Sequence, residues 1–207
     1  MALDTYAGLQ TAIAGFLNRD DLTAIIPDFI ALAEAQIKRD VRHWRMTTTA
    51  ALSITGQYVA LPADWVETIR ISTNANGYAP LRLVSVADME AMRGSNNDTG
   101  GIPQFYAHVG SNFEFYPSPD TTYTGEILYT AKVAALSISN TTNWLLTESP
   151  DAYLYGSLIH SAPYLVEDAR IAVWGGLYAA AVKRLNDVSD AAKWSGTGLR
   201  FGTRRTS

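Results

Sequence analysis

The sequence contains no cysteine, which excludes disulfide bonds and thiolate metal ligands from this 207-residue chain. Histidine is scarce as well, and His43, His108 and His160 do not have the spacing of a common zinc motif. Phosphate-binding glycine loops, the G-x-S-x-G nucleophile motif and the H-E-x-x-H metal motif are also missing. We therefore expect no metal, no cofactor and no catalytic residue of these classes.

Long apolar runs are absent too. No stretch approaches the roughly 20 apolar residues of a membrane span, and the opening MALDTYAGLQ lacks the basic-then-apolar order of a signal peptide. Hydrophobic residues nevertheless make up 47% of the chain, enough for a substantial core. The composition predicts a soluble globular protein that does not associate with membranes.

Acidic and basic residues are distributed unevenly along the chain. Residues 46–146 hold four Lys or Arg against eight Asp or Glu, so this segment alone carries the net charge of −4. From Lys193 to Ser207 there are four basic residues and no acid. The end of the chain is thus predicted to be a flexible basic tail, residues 195–207.

This tail combines apolar and basic side chains as a docking peptide does, with anchors for burial and charge for steering. Its composition fits a disordered end without a partner equally well. The candidate docking residues are Leu199, Arg200, Phe201, Arg204 and Arg205.

Apolar residues three and four positions apart predict helices at both ends of the chain. One helix ends near Asn18, and a second starts near Pro27 and runs to Trp44. A third covers 150–162 and breaks near Pro163. A long final helix has an apolar seam for packing on other helices. The seam consists of Ile171, Trp174, Tyr178, Ala181, Leu185 and Val188.

Between these helices, short β-branched stretches separated by turn signals predict antiparallel strands with one solvent-exposed face. In NFEFY, Phe113 and Phe115 share one face and Glu114 points the other way. The predicted fold class is α+β. Helices from 1–45 and 147–194 form a bundle, residues 46–146 form an inserted antiparallel β domain, and the tail follows.

The stretch NWLLTESPDAYLYGSL, residues 143–158, marks the predicted domain junction. We expect the apolar residues at its start to fix the end of the β domain on the bundle, a serine to cap the next helix, and a proline to set its first turn. Gly156 would permit a close helix neighbour. The junction residues are Trp144, Leu145, Leu146, Ser149 and Pro150.

Three segments, YVALPADWVETIRI (58–71), GIPQFYAHVGSNFEFYPSPDTTYTGEILYTAK (101–132) and NWLLTESPDAYLYGSLIHSAPYLVEDARIAVW (143–174), occur in an order that resembles the head-to-tail adaptors of short-tailed and related bacteriophages. The resemblance covers about residues 46–190 and extends to the tail tubular protein A and portal-adaptor gatekeeper types. Its strength lies in the ordered set of motifs.

The resemblance implies a helical bundle with an inserted β region, repeated as a twelve-subunit ring beneath the phage portal. Expected partners are other copies of the chain, the portal, and a downstream tail or nozzle protein, while DNA passes through without specific recognition. The protein would be made in the host cytoplasm and end at the head–tail junction of the virion. The carboxy-terminal tail would reach the portal, and an acidic channel wall would let DNA slide during ejection.

Other functions remain open from the sequence. A neck protein of a long-tailed phage is the nearest alternative, because comparable bundles occur there. Aromatic residues of the β domain could form a carbohydrate-binding platform, and acid pairs such as Asp88 with Glu90 could serve a cell-wall hydrolase. The residues favour core and solvated-surface roles for these rings and acids, so we predict a structural protein and not an enzyme.

Overall fold

The structure is a computed structural model that describes residues 3–96, 98–165 and 170–194. Within these ranges the chain divides into two compact units. The helical unit takes the described residues up to Trp44 and from Val133 onward, and the β unit is Arg45–Lys132. Helices therefore flank an inserted β region along the chain, which confirms the predicted α+β fold class.

The described residues form six α-helices and seven β-strands. The helices are α1 (Tyr6–Leu17), α2 (Ile26–Asp40), α3 (Val86–Asn96), α4 (Trp144–Glu148), α5 (Pro150–Leu165) and α6 (Ile171–Trp194). The strands are β1 (Thr47–Ile54), β2 (Tyr58–Ala60), β3 (Trp65–Thr73), β4 (Arg82–Leu83), β5 (Phe105–Val109), β6 (Asn112–Tyr116) and β7 (Tyr123–Ala131).

The amino-terminal helices have clear local signals. Thr5 caps α1 by accepting a hydrogen bond from the Gly8 amide, and Asn18 ends the helix in a left-handed conformation with φ of 51°. The prediction that the second helix runs to Trp44 was wrong, because α2 ends at Asp40 and Val41 is extended. The Arg42 amide instead donates to the Asn186 side chain at 2.9 Å, so the chain leaves the helix to bond with α6.

Helix α5 lies at the centre of the helical unit and packs against α1, α2, α4 and α6. Gly156 lies where two neighbours approach, since a Cβ there would be 3.2 Å from Ala33 Cβ and 3.4 Å from a ring carbon of Tyr178. The expected role of Gly156 in close packing is confirmed. The expected break near Pro163 was wrong, because α5 continues to Leu165 and a proline in its last turn removes one backbone hydrogen bond without ending it.

The β unit contains two sheets, in the orders β1-β7-β3 and β2-β6-β5-β4. All pairings are antiparallel except the short parallel pair of β4 and β5. One core joins residues of both sheets, including Ile71 and Ile127 of the first sheet and Phe113 and Phe115 of the second. This two-sheet packing follows from the alternation of inward side chains along each strand.

Helix α3 covers the other face of the second sheet, where Met89 packs against Ala107 and Tyr116. Phe113 and Phe115 are fully buried, as their alternation predicts. The expected wet face at Glu114 was wrong, since this residue is only 3% exposed. A nearby arginine on α3, described below, makes that burial possible.

Candidate functional site

A partly buried polar network at the start of α4 joins three separate segments of the helical unit. The Asn143 side chain accepts from the Leu146 amide at 2.8 Å, which caps α4, and its Nδ2 donates to the Ala134 carbonyl at 2.7 Å and to the Tyr153 hydroxyl at 2.8 Å. Glu34 of α2 accepts the Leu136 amide at 2.7 Å and interacts with Tyr153. The network therefore holds the returning chain against α2 and α5.

The pKa values in this network follow its burial. Desolvation raises the pKa of Glu34, and the hydrogen bonds from Leu136 and Tyr153 offset only part of that effect. Burial raises the pKa of Tyr153 most, the hydrogen bond from Asn143 offsets part of this rise, and the neighbouring Glu34 carboxylate raises the pKa further. The Tyr153 hydroxyl thus stays protonated and serves as a hydrogen-bonding group that connects α5 with Asn143 and Glu34.

The predicted junction residues all lie in this part of the helical unit. Trp144 is half-buried and stacks on His43 with ring centroids 4.9 Å apart, while Leu145 and Leu146 are fully buried. Ser149 is buried, and its hydroxyl donates to Asp151 Oδ1 at 2.5 Å. Pro150 is the first residue of α5, as its fixed φ favours. Their role in fixing the β domain stays a prediction.

The β domain was predicted to end at residue 146, whereas the β unit ends at Lys132. The contacts of Asn143 and Leu136 with the helices explain this earlier boundary. The segment after Lys132 uses Leu136 and Asn143 to bond with residues of α2 and α5. Sequence periodicity carried no signal for these side-chain contacts. The one available sign was an asparagine directly before the apolar run WLL, a common helix cap.

The predicted seam of α6 is largely buried. Trp174, Tyr178, Ala181 and Leu185 are at most 7% exposed, and Ile171 is half-buried. Val188, however, is 54% exposed, and Ser189 is buried in its place. The Ser189 hydroxyl accepts a hydrogen bond from the Trp44 amide at 2.9 Å. The last turns of α6 thus bind the backbone of the segment after α2, which requires a polar side chain at position 189.

A groove of about 620 Å³ lies between α2 and α6 above Ile159 of α5. Along its rim the Tyr178 hydroxyl donates to Asp40 Oδ2 at 3.0 Å. The Asn186 amide donates to the Asp40 carbonyl at 3.1 Å. Burial, with Asp40 as the second cause, raises the pKa of Tyr178. These bonds hold α6 against the end of α2.

In the β unit, Arg93 of α3 forms an ion cluster with two carboxylates. Its guanidinium donates to Glu114, to Asp98 at 3.3 Å and to the Phe115 carbonyl at 3.0 Å. Burial alone would raise the pKa of Glu114, but Arg93, Gln57 and Tyr58 outweigh it and hold that pKa below its usual value. The cluster is a structural ion pair that attaches α3 to the sheet.

Asp98 extends the cluster into the loop after α3. It accepts hydrogen bonds from the Gly100 amide at 3.3 Å and from the Ser118 amide and hydroxyl, the latter at 2.5 Å. Burial would raise its pKa, but the hydrogen bonds from Ser118, Gly100 and Arg93 lower it. Asp98 therefore remains ionised, and it bonds both its own loop at Gly100 and the loop that contains Ser118.

Within the described ranges, no three His, Asp or Glu side chains come together in a way that could hold a metal ion. No helix among the described residues is long and apolar enough to cross a membrane. The predicted docking residues Leu199, Arg200, Phe201, Arg204 and Arg205, with the rest of tail 195–207, lie outside the described residues.

A family model described as SU10 adaptor protein matches residues 4–201 of the chain. The match spans both units, nearly the full sequence. The chain belongs to the SU10 adaptor protein family. No curated protein matches the sequence.

Membership in the SU10 adaptor family indicates what the protein does in a phage particle. The protein is a bacteriophage head–tail adaptor, a structural component of the virion that takes part in tail assembly. Its partners are among the portal and tail proteins of the phage. A structural role agrees with the networks described above, whose buried polar groups connect elements of the fold.

Proposed function

We propose that this adaptor forms a twelve-subunit ring that joins the portal to the tail and lines the DNA exit channel, in a particle of the short-tailed type. The observation that carries the proposal is the family match over residues 4–201. It includes the helical unit, the β unit and the residues that begin the basic tail. The function needs no cofactor and no catalytic step.

Charges on the β unit support a channel through which DNA slides. Two of its eight acids, Asp98 and Glu114, share the single positive charge of Arg93, and Glu126 pairs with Arg70 at 3.2 Å. The other acids are exposed to solvent. They are Asp64, Glu67, Asp88, Glu90 and Asp120. We infer that some of them face the bore, where they repel the phosphate backbone and prevent DNA from sticking.

The basic tail is the proposed contact with the portal. Leu199 and Phe201 would fill apolar pockets on the portal, and the arginines would steer association toward acidic groups there. The tail has no acid of its own to neutralise these arginines. Docking would place each copy on one portal subunit, so the portal would act as a template for the ring.

Sedimentation of the adaptor with the portal of the same phage tests this function. We expect the full chain to co-sediment and a chain ending at Trp194 to remain unbound. Replacing Leu199 and Phe201 by serine should mainly speed dissociation. Replacing the three tail arginines by glutamine should mainly slow association and weaken its salt dependence. Equal binding by the full and shortened chains would overturn the docking role.

A further inference from the structure

Helix α6 presents an apolar stripe on the side opposite its buried seam. Val173 and Leu177 are 61% and 41% exposed, and Gly176 and Ala180 are exposed beside them. These four residues are three and four positions apart, so they share one face of the helix. Arg184, whose side chain is 74% exposed, continues the same face by one turn.

Nothing in the part of the chain that the structure describes requires a glycine at position 176. A Cβ built at this position meets nothing within 4 Å. Glycine inside a helix costs about 1 kcal/mol relative to alanine, and the fold gains no close internal contact in return. Gly175 is equally open, but Gly176 lies on the exposed stripe, where the open space leaves room for a close neighbour from outside the chain.

Helix α2 carries a second stripe with the same spacing. Leu32 is 50% exposed, and Asp28, Ala31 and Ala35 around it are exposed as well. These residues face away from Ile30, Ala33 and Ile37, the buried side of α2. Each stripe thus has one exposed leucine between small residues and one charged residue at an end, acidic on α2 and basic on α6.

The two stripes complement each other when the helices run antiparallel. In an antiparallel pair, each step forward along one helix matches an equal step backward along the other. A single register therefore matches three pairs of residues: Leu32 with Ala180, Ala35 with Leu177, and Asp28 with Arg184. In the described chain Arg184 has only a 3.7 Å contact with Asp151 at the surface, which an exposed pair can give up at little cost. Opposite charge at matched positions favours a second copy as the occupant.

We propose that the α2 stripe of one copy (Asp28, Ala31, Leu32, Ala35) packs against the α6 stripe of the next (Val173, Gly176, Leu177, Ala180, Arg184). The inference rests on the proposed ring and identifies its subunit contact. Since two different surfaces meet, the contact is heterologous, and repetition of it can close a ring. The small residues allow the helix backbones to approach closely while each leucine fills the space above an alanine.

Single cysteines test the contact directly, because the chain has none of its own. Full-length Leu32→Cys and Ala180→Cys proteins are mixed with the portal of the same phage and oxidised. We expect the mixture to shift to twice the 22.5 kDa of the chain on a non-reducing gel, since a disulfide needs Cα atoms within about 7 Å. Each variant alone should stay at the monomer position. Ala7→Cys, exposed on α1, replaces Leu32→Cys as the matched control.

Two results would overturn the contact while leaving the ring in place. Cross-linking of Ala180→Cys by itself would show a symmetric α6 contact, and rings without any cross-link would show a different surface. Failure to form rings on the portal would overturn both the proposed function and this contact.

A charge exchange provides a second test in the same assay. Asp28→Arg or Arg184→Asp alone should lower the yield of cross-linked product severalfold, and the two together should restore it. A yield that stays unchanged in each single variant would contradict the register.

Discussion

At the scale of single residues, Arg93 has the largest role in the β unit. Its side chain is 20% exposed, and it neutralises Glu114, whose side chain is 4% exposed. A buried carboxylate without a partner is costly, because neither water nor a counter-charge stabilises it. The same guanidinium also satisfies the Phe115 carbonyl and reaches Asp98.

We therefore predict that Arg93→Ala lowers the free energy of unfolding by about 3 kcal/mol, as measured by urea denaturation of the full chain. Arg70→Ala is the matched control, since Arg70 pairs with Glu126 at the surface and exposed pairs contribute at most about 1 kcal/mol. Equal losses in the two variants would show that the buried cluster does not stabilise the β unit.

At the scale of elements, two glycines in the helical unit have opposite surroundings. A Cβ added at Gly156 of α5 would lie against Ala33 and Tyr178, whereas one added at Gly176 of α6 would meet nothing within 4 Å. Helix propensity favours alanine at both positions by a similar amount. Packing within the chain therefore decides how each substitution changes stability.

We predict that Gly176→Ala stabilises the isolated chain by about 0.5–1 kcal/mol. Gly156→Ala should gain less or lose stability, because the added methyl lies 3.2 Å from Ala33 Cβ. Thermal unfolding followed by circular dichroism measures both changes. A larger stabilisation by Gly156→Ala than by Gly176→Ala would contradict the close packing of α5.

Sequence periodicity predicted most of the elements and missed the polar contacts that bring distant segments together. The apolar stripes located α1, α5 and most of the α6 seam, because burial repeats with the helix period. Periodicity wrongly predicted that Glu114 faces solvent. Its partner Arg93 lies on another element, so the ion pair produces no pattern in the sequence around Glu114. Trp44 was predicted to belong to the second helix and Val188 to the buried seam, and both predictions failed for the same reason. Asn186 and Ser189 of α6 bind the backbone after α2 through contacts that the sequence pattern does not show.

At the scale of the whole molecule, the described chain combines well-connected units with exposed apolar residues, as expected for a subunit of a larger assembly. Its polar networks connect the elements within each unit, and it exposes Leu32 on α2 and Leu177 on α6. The site proposed for portal docking is the basic tail, whose composition suits a docking peptide and whose contact with the portal is implied by the family resemblance. Family membership makes the protein a component of the phage virion.

Electron microscopy of the full chain bound to its portal would show whether the adaptor forms a ring and which residues face the bore. We expect a closed ring of twelve adaptor subunits under the portal, with acids of the β unit exposed to the bore. A shortened chain ending at Trp194 should leave the portal bare. A basic bore, an open filament, or portals that bind no ring at saturating adaptor would contradict it.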